Sequence, residues 1–311
     1  MLSRAASSLY WLGRYIERAE FASHLVEATL RLDAVADHKT GQSAWGNALA
    51  VLDLEDDFAA TGQRLQQGAV TRFLTVDASH SGSVVRCLDF ARDNAKAVRI
   101  ALSRDAWSAI NRAWLLFRGA SELDETRAAL DLVESAENEI RAFEGAIGRM
   151  LKNPHSLFVR LGAAVERGSN TAQLLGAIAG RLPPDPFKVA EVAGRDQWQM
   201  VLQTVSAINA YRWLYSGGLK PASVVELLTL RRELPRSLAA CTEEAVQHLN
   251  TLGKFTGLQG EADRCARTHL VTLGDARIEG VLASGLPDFL SGCVKANDDL
   301  HAAIQRQFRF H

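Results

Sequence analysis

The first 32 residues, MLSRAASSLYWLGRYIERAEFASHLVEATLRL (1–32), decide the fold class. Apolar or small side chains recur at Leu9, Leu12, Ile16, Ala19, Ser23, Val26 and Leu30. That three-four alternation lays one stripe along a helix, whereas in a strand it would scatter over both faces. At about 100° per residue, Tyr10, Trp11, Arg14, Glu17, Arg18 and Phe21 fall opposite the stripe. A helix that is apolar on one side and carries aromatics and charges on the other belongs at the centre of a bundle. Its charged groups are then expected to face partners or a cleft rather than bulk water.

The same period continues outward from this helix. Helical patterns run through roughly 42–58, 83–102, 105–117 and 122–151, with Ser83 and Ser103 placed to accept from free first-turn amides as N-caps. Beyond Asn153-Pro154 the pattern resumes to about Arg181 and stops at Pro183-Pro184-Asp185-Pro186, where amides are missing and φ is fixed. Further patterns cover about 196–215, 224–230 and 235–252, with one or two more helices in the last forty residues. No sustained period-two run of β-branched residues occurs, so the expected fold is all-α.

Leu12-Gly13 and Glu17-Arg18 in LGRYIER (12–18) are repeated as Leu161-Gly162 and Glu166-Arg167 in LGAAVER (161–167). Downstream, Trp45 and Leu49 match Trp198 and Leu202, and FLTVDASHSGSVVRC (73–87) matches LLTLRRELPRSLAAC (227–241) at Leu74/Leu228, Thr75/Thr229, Ser83/Ser237 and Cys87/Cys241. The blocks keep their order while the offset grows by a few residues, each time within an expected loop, where insertions are tolerated. The expectation is a helical bundle built from two tandem, internally duplicated halves of about 150 residues, 1–152 and 153–311, facing each other about a pseudo-two-fold axis. Glu17 would then meet Arg167, and Glu166 would meet Arg18 and supply the carboxylate that the like charges Arg14 and Arg18 require.

That cluster is open to three readings. It can be structural, since buried charges persist when paired. It can bind an anionic or peptide-like ligand, with Arg14, Glu17, Arg18, Glu166 and Arg167 flanked by Tyr10 and Trp11. Or Glu17 and Glu166 can act as general bases, the weakest reading, because each is chained to an arginine that holds it ionised.

Other features exclude function classes. With 35 Lys+Arg against 36 Asp+Glu there is no basic surplus for nucleic acid or an anionic membrane. No run of roughly 18 apolar residues exists to span a bilayer. Glu17 and Glu20 argue against a targeting peptide, and Cys87, Cys241, Cys265 and Cys293 lack metal spacing and read as reduced thiols of a cytoplasmic protein. No phosphate-binding glycine loop or hydrolase elbow is present, and no cofactor is expected. Glu20/His24 and Glu244/His248 read as solvated surface pairs, His80 and His155 as turn residues, and Trp107, Trp114, Trp198 and Trp213 as core.

From MLSRAASSLYWLGRYIERAE onward the chain resembles the bacterial alpha-E family, an all-helical domain named for a Glu-Arg motif. ARDNAKAVR (91–99), VERGSNTAQLL (165–175), QW (197–198), AYRWLY (210–215) and LPRSL (234–238) carry the likeness along its length. The resemblance implies no established reaction. It implies a partner, a circularly permuted ATP-grasp ligase-like protein, in some cases with a transglutaminase-like peptidase, and a role in making or modifying a peptide. The expected function is therefore a binding or scaffold protein, with an enzyme acting on a peptide or amine as the alternative. The second half departs from the first where Arg160 and Ala163 stand at the positions matching Trp11 and Arg14, so any site would be asymmetric.

Overall fold

The computed structural model describes residues 3–35, 38–120, 126–179 and 195–310; these form helices and connecting turns, with no strand among them. In chain order the α-helices are α1 (Ser3–Asp33), α2 (His38–Val51), α3 (Glu55–Ala60), α4 (Gln67–Thr75), α5 (Val84–Ala97), α6 (Arg104–Gly119), α7 (Thr126–Arg149) and α8 (Pro154–Ala179). They continue with α9 (Arg195–Thr204), α10 (Ile208–Leu214), α11 (Pro221–Thr229), α12 (Leu238–Thr256), α13 (Glu261–Asp275), α14 (Ile278–Ser284) and α15 (Leu286–Phe308).

α1 and α8 form the axis of the molecule. Contacts advance in the same direction along both, from Gly13 and Gly162 to Glu17 and Arg167, so the two helices run parallel. Glycine is required at the crossing. A Cβ on Gly13 would strike the Val159 carbonyl oxygen and one on Gly162 the Tyr10 carbonyl oxygen, so each helix presses on the other's backbone. Leu12 and Leu161, next to these glycines, are fully buried.

The remaining long helices wrap this axis in one order repeated twice. α5 and α7 pack on α1 with α6 spanning them, and α12 and α15 pack on α8 with α13 spanning them. Local details recur too. Ser83, Ser103 and Ser237 cap their helices by accepting from Arg86, Ala106 and Ala240 amides. Thr75 and Thr229 bond back to carbonyls four residues earlier, and Trp45 and Trp198 are both buried.

Two apolar cores are stacked along the axis. One gathers the C-terminal part of α1 and α8 with α2, α4, α9 and α11, around Leu25, Trp45, Leu174 and Trp198. The other gathers the N-terminal part of both with α5, α6, α7, α12, α13 and α15. Each draws residues from before and after Pro154, and a buried leucine-sized side chain contributes about 1.5–3 kcal/mol to such a core.

Several expected boundaries shift for local reasons. The pattern over 42–58 is broken at Asp53 and that over 196–215 at Ser206, both in the left-handed region (φ 56° and 55°). At each break an amide reaches back five residues, Leu54 N to Leu49 O and Ala207 N to Leu202 O, which ends the helix although the apolar period continues. The 83–102 pattern closes at Ala97 and continues as a 3₁₀ turn over Arg99–Ala101. α4 was not expected. The Pro183–Pro186 stop and the start of the 122–151 pattern lie outside the described residues. Of the tryptophans expected in the core, Trp198 is buried, Trp107 and Trp114 are half-buried under arginines, and Trp213 is 85% exposed near the end of the short α10.

Candidate functional site

The two Glu-Arg pairs meet across the α1–α8 seam. Arg18 Nε donates to Glu166 Oε1 at 2.7 Å, and Arg167 Nη2 donates to Glu17 Oε2 at 2.7 Å. Each glutamate also takes a second guanidinium. Arg14 Nε donates to Glu166 Oε2 at 2.5 Å, whereas for Glu17 the second donor is Arg236, through Nη1 to Oε1 at 2.6 Å. Arg14 has Ala163 at its matching position, so α8 lacks an equivalent, and Arg236 enters from the turn before α12 instead. That turn is fixed by Ser237 as N-cap, by Cys241 Sγ on the Pro235 carbonyl and by Thr171 Oγ1 donating to the Arg236 carbonyl.

Both motif glutamates are almost entirely buried. Burial alone would push their carboxyls up, but Arg167 and Arg236 outweigh it at Glu17, and Arg14 and Arg18 outweigh it at Glu166, so both lie below the usual carboxylate range. A carboxylate held ionised at neutral pH with its lone pairs committed to two guanidiniums is a poor proton acceptor. Cys87 and Cys241, next to the two clusters, are pushed up to about 12 by burial and are equally poor nucleophiles.

Around Glu166 the surroundings are aromatic. Arg14 lies over Trp11 and Arg18 over Tyr15, at 5.2 and 5.7 Å from the ring centres. Tyr10 is completely buried, stacked on His301 with its hydroxyl 2.9 Å from Nδ1. Burial, and then the Arg14 charge, push His301 down to about 4, so it is neutral near pH 7. Tyr10 is thus a packing partner of this cluster, and Trp11 covers it from one side.

Around Glu17 the surroundings are acidic. Arg236 Nη2 also donates to Glu20 Oε2 at 2.6 Å, Arg167 Nη1 to Glu244 Oε2 at 3.3 Å, and Glu144 Oε1 lies 3.7 Å from Arg167 Nη2. Oxygens of Glu17, Glu20 and Glu144 come within 4.8 Å of one another, close enough for a cation. Arg167 and Arg236 already engage Glu17 and Glu20 there, so the trio is an ion-paired knot, still in acidic excess, rather than an open coordination sphere. Glu144 differs from the others. Its side chain is 43% exposed, and partial desolvation, then the Glu20 and Glu17 charges, push its carboxyl above the usual range against the two arginines. It lines a cavity of about 150 Å³ between α1, α7 and α8, with Phe143, Arg160, Ala163 and Arg167 among the other walls.

Two expectations are corrected here. Glu20/His24 and Glu244/His248 are not solvated surface pairs. Glu20 and His24 are buried, the first on Arg236 and the second 3.4 Å from Glu137, while Glu244 is shared between Arg167 and His248. Arg236 and Glu144 were not among the expected cluster residues. Arg236 lies in the LPRSL segment, where the matching residue is Gly82, and only the emptiness of position 163 hinted that another cation was needed. Glu144 resembles any glutamate on an amphipathic helix, and nothing in its spacing sets it apart.

The model of the Alpha-E family, described as a predicted alpha-helical domain with a conserved ER motif, matches residues 1–308. The chain belongs to the Alpha-E family. The Alpha-E chain is also similar to an uncharacterized protein of Mycobacterium bovis and to uncharacterized proteins of two Mycobacterium tuberculosis strains, CDC 1551 and H37Rv. In each case it is 25% identical over 97% of this chain and 36% of the relative. It thus spans about a third of the length of these curated relatives. No solved structure matches it. Among the described residues no helix is long and apolar enough to cross a membrane.

Proposed function

We propose that this Alpha-E chain is a binding or scaffold protein that works beside an ATP-grasp-type ligase in the synthesis or modification of a peptide. The observation that carries the reading is the state of the motif glutamates, each buried, ionised and tied to two guanidiniums. Such a cluster shapes and charges the space between helices and has no free base to offer. That the matched relatives extend far beyond the shared region supports a domain that acts in company. A circularly permuted ATP-grasp ligase-like protein is the proposed partner, with a transglutaminase-like peptidase as a further associate. The duplicated origin belongs to the same proposal, supported by the paired helix order, the paired Ser83/Ser237 caps and the paired breaks at Asp53 and Ser206.

Affinity purification of the chain from its native cell, followed by mass spectrometry, tests the partnership. A ligase-like protein is expected to co-elute, and its absence under crosslinking would remove the proposal. One observation favours the alternative of an enzyme in its own right. Glu144, at the half-open mouth of a cavity and with its carboxyl pushed up by partial desolvation and by Glu20 and Glu17, is the carboxylate here best placed to exchange a proton with solvent. Turnover of a peptide or amine by the purified chain, abolished by Glu144→Gln with folding retained, would establish that reading instead.

A further inference from the structure

α13 and α15 lie side by side and antiparallel, tied together at one end. Arg306 pairs with Glu261 there, and Gln307 accepts from the Ala262 amide and donates to Asp263. Among the described residues no hydrogen bond or ion pair joins the two helices further along, whereas the corresponding α6–α7 pair is bridged by Arg112 and Glu139. Between them opens a cleft of about 620 Å³, within the ~300–1,000 Å³ of small-molecule sites. α13 presents Cys265, His269 and Thr272 to it, and α15 presents Phe289, Cys293 and Ala296, the same four-three spacing on each helix. His269 and Cys293 are buried and form the floor, while the charges of Arg264, Asp288 and Asp299 stand on the exposed rim.

His269 sets the chemistry of this cleft. Only 6% of it is exposed, yet it makes no hydrogen bond or ion pair among the described residues, and neither ring nitrogen is sealed off. A polar ring recessed this far without a partner is costly unless something entering the cleft completes it. Burial, with no neighbouring charge to offset it, pushes the imidazole down to about 4. At neutral pH it therefore offers one N–H and one lone pair, and no charge.

The rest of the lining restricts the occupant. An ionised group carried to the floor would lose its water without gaining a counter-ion there. The Phe289 ring and the two thiols favour an aromatic body, through ring–ring and sulfur–ring contacts. Gly292 leaves its part of the α15 wall bare, since a Cβ there would meet nothing within 4 Å.

We propose that the α13–α15 cleft binds an uncharged aromatic small molecule bearing one hydrogen-bonding group, which pairs with His269. This goes beyond the ligase partnership and does not depend on it, because no residue lining the cleft belongs to the Glu-Arg cluster.

NMR-monitored titration of the full chain at about pH 7 with 4-ethylphenol, ethylbenzene and 4-ethylbenzoate tests it. 4-Ethylphenol should shift the His269 ring nitrogens and bind about three- to tenfold more tightly than ethylbenzene, the worth of one hydrogen bond. 4-Ethylbenzoate, which brings a charge, should bind about tenfold more weakly than the phenol or worse. His269→Phe keeps a buried ring and should erase the advantage of the phenol while ethylbenzene still binds. Gly292→Leu fills the cleft from its bare wall and should weaken all three ligands, with the melting temperature held or raised because a helical glycine is replaced. Should His269→Phe fail to fold, the His269 shifts and Gly292→Leu decide the matter. Absence of a His269 shift, equal binding of the phenol and ethylbenzene, tightest binding of the benzoate, or binding untouched by Gly292→Leu would overturn the assignment.

Discussion

Glu166 shows how residue-level chemistry sets the character of the centre. Taking a carboxylate out of water costs several kcal/mol, and two guanidiniums at 2.5 and 2.7 Å offset that cost only while all three charges are present. Glu166→Gln leaves Arg14, itself buried, without a counter-ion and is expected to destabilise the fold by about 3–5 kcal/mol at neutral pH. The pH dependence follows with a definite sign. Glu166 and Glu17 have folded pKa values below an unfolded value of about 4.3, so their stabilisation is present above that pH and is lost as pH falls through the folded values. Urea unfolding from about pH 7 to about pH 3 should therefore give a flatter acid limb for Glu166→Gln than for the parent chain. Identical limbs would mean that the cluster does not govern acid stability.

At the scale of elements, the α1–α8 seam depends on two missing side chains. Gly13→Ala would drive a methyl group into the Val159 carbonyl, and forcing the helices apart should cost about 1–3 kcal/mol or more. Gly145→Ala is the matched control. A Cβ there meets nothing within 4 Å, so the helix-propensity gain of about 1 kcal/mol should appear unopposed. Opposite shifts in melting temperature are expected, and a stabilising Gly13→Ala would refute the close crossing. Which elements form was readable from the chain because α1, α5, α6 and α12 carry both an apolar stripe and, in three of the four, a serine cap. Where they stop was not. Asp53 and Ser206 adopt a left-handed conformation without glycine, and the backbone bonds that hold them leave no mark in side-chain periodicity.

At the scale of the whole molecule, both cores mix residues from the two sides of Pro154. Residues 1–152 expressed alone would expose the α8-facing side of α1 together with Glu17 and no Arg167 or Arg236. Circular dichroism and size exclusion should find such a fragment largely unfolded or aggregated, and mixing with 153–311 should restore the helical signal; a monomeric, cooperatively melting fragment would contradict the shared cores. The crossed Glu17–Arg167 and Glu166–Arg18 pairing was legible because a motif written twice must satisfy its charges somewhere, and a facing copy is the nearest solution. The entry of Arg236 and the placement of Glu144 were not, since both depend on how a turn and a neighbouring helix dock on the axis, a three-dimensional matter that no local spacing encodes.

The glycine crossing also limits how this protein can move. With main chain resting on main chain at Gly13 and Gly162, there is no layer of rotamers between α1 and α8 to rearrange, and packed interfaces shift between discrete arrangements rather than gliding. The pair therefore acts as a rigid axle. Any rearrangement that accompanies ligand or partner binding falls to the outer helices, with α7 and its cavity-facing edge the first candidate to swing.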